Sequence, residues 1–178
     1  MTITIEQLKA IMPNCGSRGQ LFLPHLNAAI DKFEIENVSA FLAQVCVESG
    51  SLLYVEEIAS GTQYNERSDL GNTRSEAIAA AAVVGLKPGV FYKGHGLIQI
   101  TGFDNHKACG EDLDLDLVSN PRLLTQPNYA ALSAAWFWDK HGLDDVEDFE
   151  VITKRINGGL NGYTQRLVAY KRAQDALA

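Results

Sequence analysis

The sequence predicts a mainly α-helical fold of the α+β kind with one small β-hairpin. Three observations support this. Apolar residues recur at helical spacing through most of the chain, and helix start and stop signals flank those stretches. Only one short run, "VFYKGHGLIQITG", reads as two β-rich pieces around a glycine turn. At 178 residues and 46% hydrophobic composition the chain suits one domain over 1–178, large enough to bury a sizeable core.

The elements follow in order. Thr4 with Gln7 three residues on is a capping-box pattern that opens a short helix through Ile11, and Pro13 stops it. Leu21–Phe33 is helical, with Leu26, Ala29, Ile30 and Phe33 on one side, and a turn follows at Glu36–Asn37. From Val38 the positions Phe41, Leu42, Val45, Cys46 and Leu52 keep the helical interval until Gly50 interrupts it. Residues 59–96 are the least regular part: "SGTQYNERSDLGNT" is loop chemistry, and an Ala-rich piece over 76–84 ends in Gly and Pro. After the hairpin come helices over Pro127–His141, Phe149–Ile156 and Tyr163–Leu177. Trp136 and Trp138, two apart on a helix, cannot share a face, so one is expected in the core and the other beside a cleft.

Charge and cysteine usage exclude several classes. A net charge of −7 argues against nucleic acid or an anionic surface as partner. The three cysteines are far apart and in no metal-like or CxxC spacing, which points to free thiols in a reducing compartment. The four histidines show no HxxxH or HExxH spacing, so no metal is expected, and no cofactor motif appears. "TITIEQLKAIMP" after Met1 has neither a basic region nor a long apolar core, so neither a signal peptide nor stable membrane insertion is expected.

Carboxylates carry the chemistry. Glu48 lies seven positions after Phe41, about 20° from it around a helix, at the border of the apolar stripe. Burial disfavours the charged form of such a side chain, which makes Glu48 a candidate general acid. The alternative is a helix-end glutamate paired with Arg or Lys. Glu57 follows nine residues later, about 13 Å along an unbroken helix. A bend at Gly50 would bring it into the range of about 6.5–9.5 Å at which one carboxyl protonates a leaving oxygen and the other activates water. Glu56 would point elsewhere, as a solvated residue, and Glu66 is a third candidate on a loop. Gln99 and Thr101, alternate residues of "GLIQITG", would share one face of a strand while Ile98 and Ile100 face the core. Such an amide and hydroxyl suit an N-acetyl group and a water; an exposed strand face is the competing reading.

Five segments in order, "FLAQVCVESG", "YNERSDLGN", "GHGLIQITGFDNH", "AALSAAWFW" and "RINGGLNG" with Arg166 after it, resemble the glycoside hydrolase family 19 chitinases, most closely their bacterial and bacteriophage endolysin members. The resemblance runs from about residue 3 to the C-terminus. It implies a lysozyme-like fold of two helical lobes around a cleft, and inverting hydrolysis of β-1,4 links beside N-acetylated sugars. On matching positions, Glu48 is implied as general acid and Thr101 as the hydroxyl that helps hold the attacking water. Gln99, Asn105, Asn157 and Arg166 are implied to line the cleft or support its carboxylates. Glu57 matches the second glutamate of the endolysin branch. The plant-type base sits before an Arg in a loop, which Tyr64–Arg67 imitates with Glu66, and Tyr64 and Glu66 are taken as sugar-binding positions. The chain departs from the family pattern at Val47, Ile58 and His95, where His, Asn and Arg are common.

Peptidoglycan is the expected glycan, with chitin as the alternative. The expected role is a monomeric endolysin, held in the host cytoplasm until a separate membrane-permeabilising protein releases it to lyse the cell. A lytic transglycosylase and a non-catalytic sugar-binding relative are the rival classes.

Overall fold

The structure is a computed structural model that describes residues 1–178. Nine α-helices follow one another: α1 Ile5–Ile11, α2 Arg18–Lys32, α3 Val38–Glu48, α4 Ser75–Val83, α5 Pro88–Phe91, α6 Phe103–Leu113, α7 Pro127–Lys140, α8 Phe149–Asn157 and α9 Tyr163–Leu177. Short 3₁₀ turns lie at Thr62–Tyr64, Ser68–Leu70 and Pro121–Thr125. None of the helices is long and apolar enough to cross a membrane.

The caps read from the sequence form as expected. Thr4 accepts from the Gln7 backbone N–H while the Gln7 side chain accepts from the Thr4 N–H, a reciprocal box that satisfies two otherwise orphaned donors. Asn37 caps α3 by accepting from Ala40 N–H. Pro127 opens α7, where its missing N–H costs nothing.

One lobe is built around α3, which is buried along almost its whole length because nearly every residue from Val38 to Cys46 is apolar. It packs along α9, while α2 packs along α7 and α1 crosses α9. Phe41 of α3 meets Trp138 of α7 edge-on, with ring centroids 5.5 Å apart. The other lobe holds two smaller apolar clusters. Ala77, Ala81, Phe91, Tyr92 and Phe103 join α4, α5 and the start of α6. Ile100, Cys109, Leu113, Leu117, Leu124 and Trp136 join α6 to α7. The two tryptophans do point apart, but both are buried: Trp138 in the main core, with its indole N–H on Asp144, and Trp136 in the smaller cluster, with its indole N–H on Asp112. The three cysteines are free and buried.

Two expectations change. The hairpin contracts to isolated bridges, Glu56 with His95 and His95 with Ile100, and its first apolar run, Val90 and Phe91, becomes the end of α5. Helix α6, absent from the sequence reading, covers "FDNHKACGEDL". Its buried positions, Phe103, His106, Cys109, Gly110 and Leu113, keep helical spacing, but three of the five are His, Cys and Gly.

Candidate active site

Glu48 is the last residue of α3, and its side chain is 15% exposed. Its carboxylate accepts from the Arg166 guanidinium at 2.7 Å. Arg166, one turn into α9, is itself buried, and it also donates to the Gln44 side-chain oxygen at 2.5 Å and to the Asn161 carbonyl at 3.1 Å. Gln44 in turn donates to the Thr153 hydroxyl at 2.8 Å, which donates to the Phe149 carbonyl at 2.9 Å. A polar chain therefore runs from α8 through α3 to α9 and ends on the acid. A buried guanidinium is costly unless its donors are used, and here three of its nitrogens are engaged. Both readings of Glu48 thus hold in part: it borders the core, and it is paired with an arginine.

Beyond Glu48 the chain turns sharply. Ser49 caps the helix through its hydroxyl, which donates to Val45 O and accepts from Leu52 N–H. Gly50, Ser51 and Leu52 are then all left-handed, with φ of 57°, 59° and 68°. This disfavoured conformation at Ser51 and Leu52 costs on the order of 1–2 kcal/mol per residue, offset at Leu52 by complete burial. The bend expected at Gly50 is present, and it spans three residues.

The turn delivers Glu56 and Glu57 to the bridge with residues 94–96. Glu57 is fixed at both backbone and side chain: its N–H donates to Gly94 O at 2.8 Å, and its carboxylate accepts from Gly94 N–H at 3.0 Å, the Tyr64 hydroxyl at 3.0 Å and the Gln63 amide at 3.2 Å. Lys93 donates to its carbonyl at 3.0 Å. Burial, with the Gln63 amide opposing and the Glu57 carboxylate reinforcing, holds the Tyr64 hydroxyl above the ordinary phenol range, so it remains a donor. Tyr64, expected to bind sugar, spends its proton on Glu57. Glu56 does point elsewhere, but it is not free in solvent: Lys93 and Arg122 each approach its carboxylate to 3.0 Å.

Glu66 is exposed and lines a recess of about 380 Å³ with Asn65, Asn72, Thr73, Ile78, Lys87 and Pro88, which neither Glu48 nor Glu57 touches.

Gln99 and Thr101 do lie together, for a different reason from the one expected. Gln99 is in a turn at φ 56°, not in a strand, and its side chain folds back to donate to Gly96 O at 2.9 Å. Thr101 donates to Gln99 O at 2.9 Å, and Asn105 donates to Thr101 O at 2.7 Å. All three line a pocket of about 120 Å³, with Ile100 and Trp136 among its apolar walls. Gln99 also packs on Gly94, the residue that grips Glu57: a Cβ placed at Gly94 would stand 2.6 Å from the Gln99 side-chain oxygen. Asn157 ends α8, half-buried, and its side-chain oxygen has no hydrogen-bond partner.

The sequence does not single out Gln44, which shares Arg166 with Glu48, nor Gln63, Lys93 and Gly94, which donate to Glu57. Gln44 carried a signal, since a polar residue inside an otherwise apolar helix must be buried with a partner. The others sit in irregular backbone, where no periodicity indicates a facing side chain. His95 and His106, to which their spacing assigns no role, are buried against one another with ring nitrogens 3.0 Å apart.

The mainly helical architecture, with one acid at the end of α3 and a second held at a short bridge, is a lysozyme-like fold. Comparison with known proteins agrees. The glycoside hydrolase family 19 model, described as chitinase class I, matches residues 22–155, and the chain belongs to that family. An Arabidopsis thaliana endochitinase is 36% identical over 124 residues, 68% of this chain and 39% of that protein. A Haemophilus influenzae glycosyl hydrolase family 19 domain-containing protein is 37% identical over 84 residues, 45% of this chain and 40% of that protein. The chain thus spans about two fifths of the length of these relatives. Chitinase C from Streptomyces griseus shares the fold with a TM-score of 0.78 at 22% identity, covering 99% of this chain and 92% of that one. A class IV chitinase from Zea mays does so at 0.75 and 22%, with the same coverage.

Proposed function

We propose that the protein hydrolyses β-1,4-linked glycans containing N-acetylglucosamine, of the chitin type, with inversion at the anomeric carbon. The observation that carries this reading is a pair of carboxylates held in different ways. Glu48 has one buried cationic partner and is otherwise at the protein edge, a place from which it can meet a leaving oxygen. Glu57 accepts three hydrogen bonds that fix its orientation, as suits a base that aligns a water. Thr101 and Gln99, in their small pocket beside Gly94, are the groups we assign to the water and the N-acetyl arm.

The sequence by itself favours peptidoglycan. The relatives' descriptions as chitinases support chitin instead, so that order is reversed.

The test compares wild type with Glu48→Gln, Glu57→Gln and Glu66→Gln on chitin hexamer and on purified peptidoglycan. Loss of at least about a hundredfold is expected for Glu48→Gln and Glu57→Gln, the scale of a positioned proton-transfer group, with Glu66→Gln near wild type. NMR of the fresh product should show the α anomer. Equal loss in Glu66→Gln with an active Glu57→Gln would move the base to the loop. A wild type inactive on both glycans would favour a sugar-binding protein.

A further inference from the structure

We propose that His95 and His106 are positioning residues for Glu57: a neutral imidazole pair with fixed tautomers that ties the turn at residues 94–100 to the start of α6 and thereby sets where the Glu57 carboxylate stands. The proposal rests on the reading of Glu57 as the water-activating base.

The connection can be followed bond by bond. Gly94 holds Glu57 through both of its own backbone groups, the carbonyl on the Glu57 N–H and the N–H on the Glu57 carboxylate. The next residue, His95, exchanges two backbone hydrogen bonds with Ile100, at 3.0 and 2.8 Å, and Gly96 N–H donates to Val55 O at 2.8 Å. Three consecutive residues therefore couple the Glu57 segment on one side to the turn on the other. The turn has no slack. A Cβ at Gly94 would collide with Gln99, and one at Gly96 would stand 2.7 Å from the Ser133 hydroxyl of α7. A displacement of His95 therefore passes to Gly94 rather than being absorbed.

The ring of His95 is what anchors this segment inward. It is 1% exposed, and its Nδ1 lies 3.0 Å from Nε2 of His106, which is fully buried. The Nδ1 of His106 lies 2.8 Å from Gly102 O. A carbonyl can only accept, so His106 Nδ1 carries a proton. In a neutral ring its Nε2 is then bare and accepts from His95 Nδ1–H, and His95 Nε2 is left without a proton. The surroundings oppose a charge on either ring. Lys93 and Arg122 face His95 and are both committed to Glu56, Tyr92 packs against His106 with centroids 5.5 Å apart, and Gly102 O is the only polar partner on the far side. Burial supports the same assignment: it pushes His95 down to about 2 and His106 to about 4.

His95→Leu removes the ring-to-ring bond at similar volume, whereas the Asn of His95→Asn can present an N–H where Nδ1–H stood. In His95→Leu, amide exchange at Gly94 and Glu57 should accelerate at least about tenfold with α3 unchanged, and kcat on chitin hexamer should fall about tenfold with KM within about twofold, the scale of one lost buried hydrogen bond. His95→Asn should recover most of both. In the wild type at pH 7, nitrogen NMR should show protons on Nδ1 of both rings and bare Nε2 atoms. A charged ring, an Nε2–H tautomer in either histidine, unchanged exchange at Gly94 and Glu57, or a general rise that includes α3 would each overturn the proposal. Should His95→Leu fail to fold, the wild-type tautomers and His95→Asn still decide. An active enzyme whose His95→Leu variant keeps its kcat defeats the positioning role alone, whereas a wild type that cleaves no glycan defeats the reading of Glu57 and the positioning role with it.

Discussion

Arg166 shows how little of a site resides in its acid. Its guanidinium is shared among Glu48, Gln44 and Asn161, so truncating it strands a carboxylate and an amide oxygen in a place with few other donors. Arg166→Ala should destabilise the protein by about 3–5 kcal/mol, the range for breaking a buried pair from one side, as read by urea unfolding. Arg166→Lys, with one compact ammonium in place of a planar fork, should recover only part of this. Tyr64→Phe removes one of the donors that align Glu57 and leaves the ring in place. A fall in kcat of about fivefold to tenfold with little change in KM is expected, corresponding to about 1–1.4 kcal/mol, and steady-state kinetics on chitin hexamer would check it. At this scale the sequence located Glu48, because the angle between it and Phe41 is fixed by helix geometry. It did not locate the partners of Glu57, because hydrogen bonds between irregular segments leave no periodic trace.

Among the elements, those with local signals were legible. The capping box of α1, the proline start of α7 and the glycine-ended Ala-rich helix α4 each follow from residues within a turn of one another. Thr4→Ala should cost about 1 kcal/mol of stability by thermal unfolding, since it removes a cap that lies on the surface and touches nothing in the site. The hairpin was misread because "VFY" and "GLIQITG" have β-rich composition, yet Phe91 and Tyr92 gain more by joining the cluster with Phe103, and Leu97, Ile98 and Ile100 are all buried without strand alternation. Burial in a tight turn overrides the two-residue period that would have placed Gln99 on a strand face. Helix α6 escaped notice for the complementary reason: its inward positions hold His106, Cys109 and Gly110, which carry little apolar signal until the partner surfaces exist.

For the whole molecule the buried histidine pair makes an acid-side prediction. Burial depresses both imidazoles from the ordinary 6.5, to about 2 at His95 and about 4 at His106. The unfolded chain therefore binds protons at a higher pH than the native state, and stability rises with pH wherever that difference persists. The contribution is fully present above pH 6.5. It is lost as pH falls towards 4, at up to about 1.4 kcal/mol per pH unit for each histidine, and below 4 the loss continues through His95 alone. Urea titrations between pH 7 and 4 should show this slope in the wild type and a smaller one in His106→Gln. A slope that does not depend on His106 would place the acid sensitivity elsewhere.

The sequence by itself determined that the chain is mainly helical, that α3 runs through the core and that Glu48 stands at its end beside a break, because periodicity, caps and glycine positions act over a few residues. Only the tertiary structure decided what each carboxylate meets. Arg166 reaches Glu48 across 118 residues of chain, and Gly94 reaches Glu57 across 37. Such pairings depend on how the helices pack and where the loops return, and no local pattern specifies the side chain that will arrive from so far away.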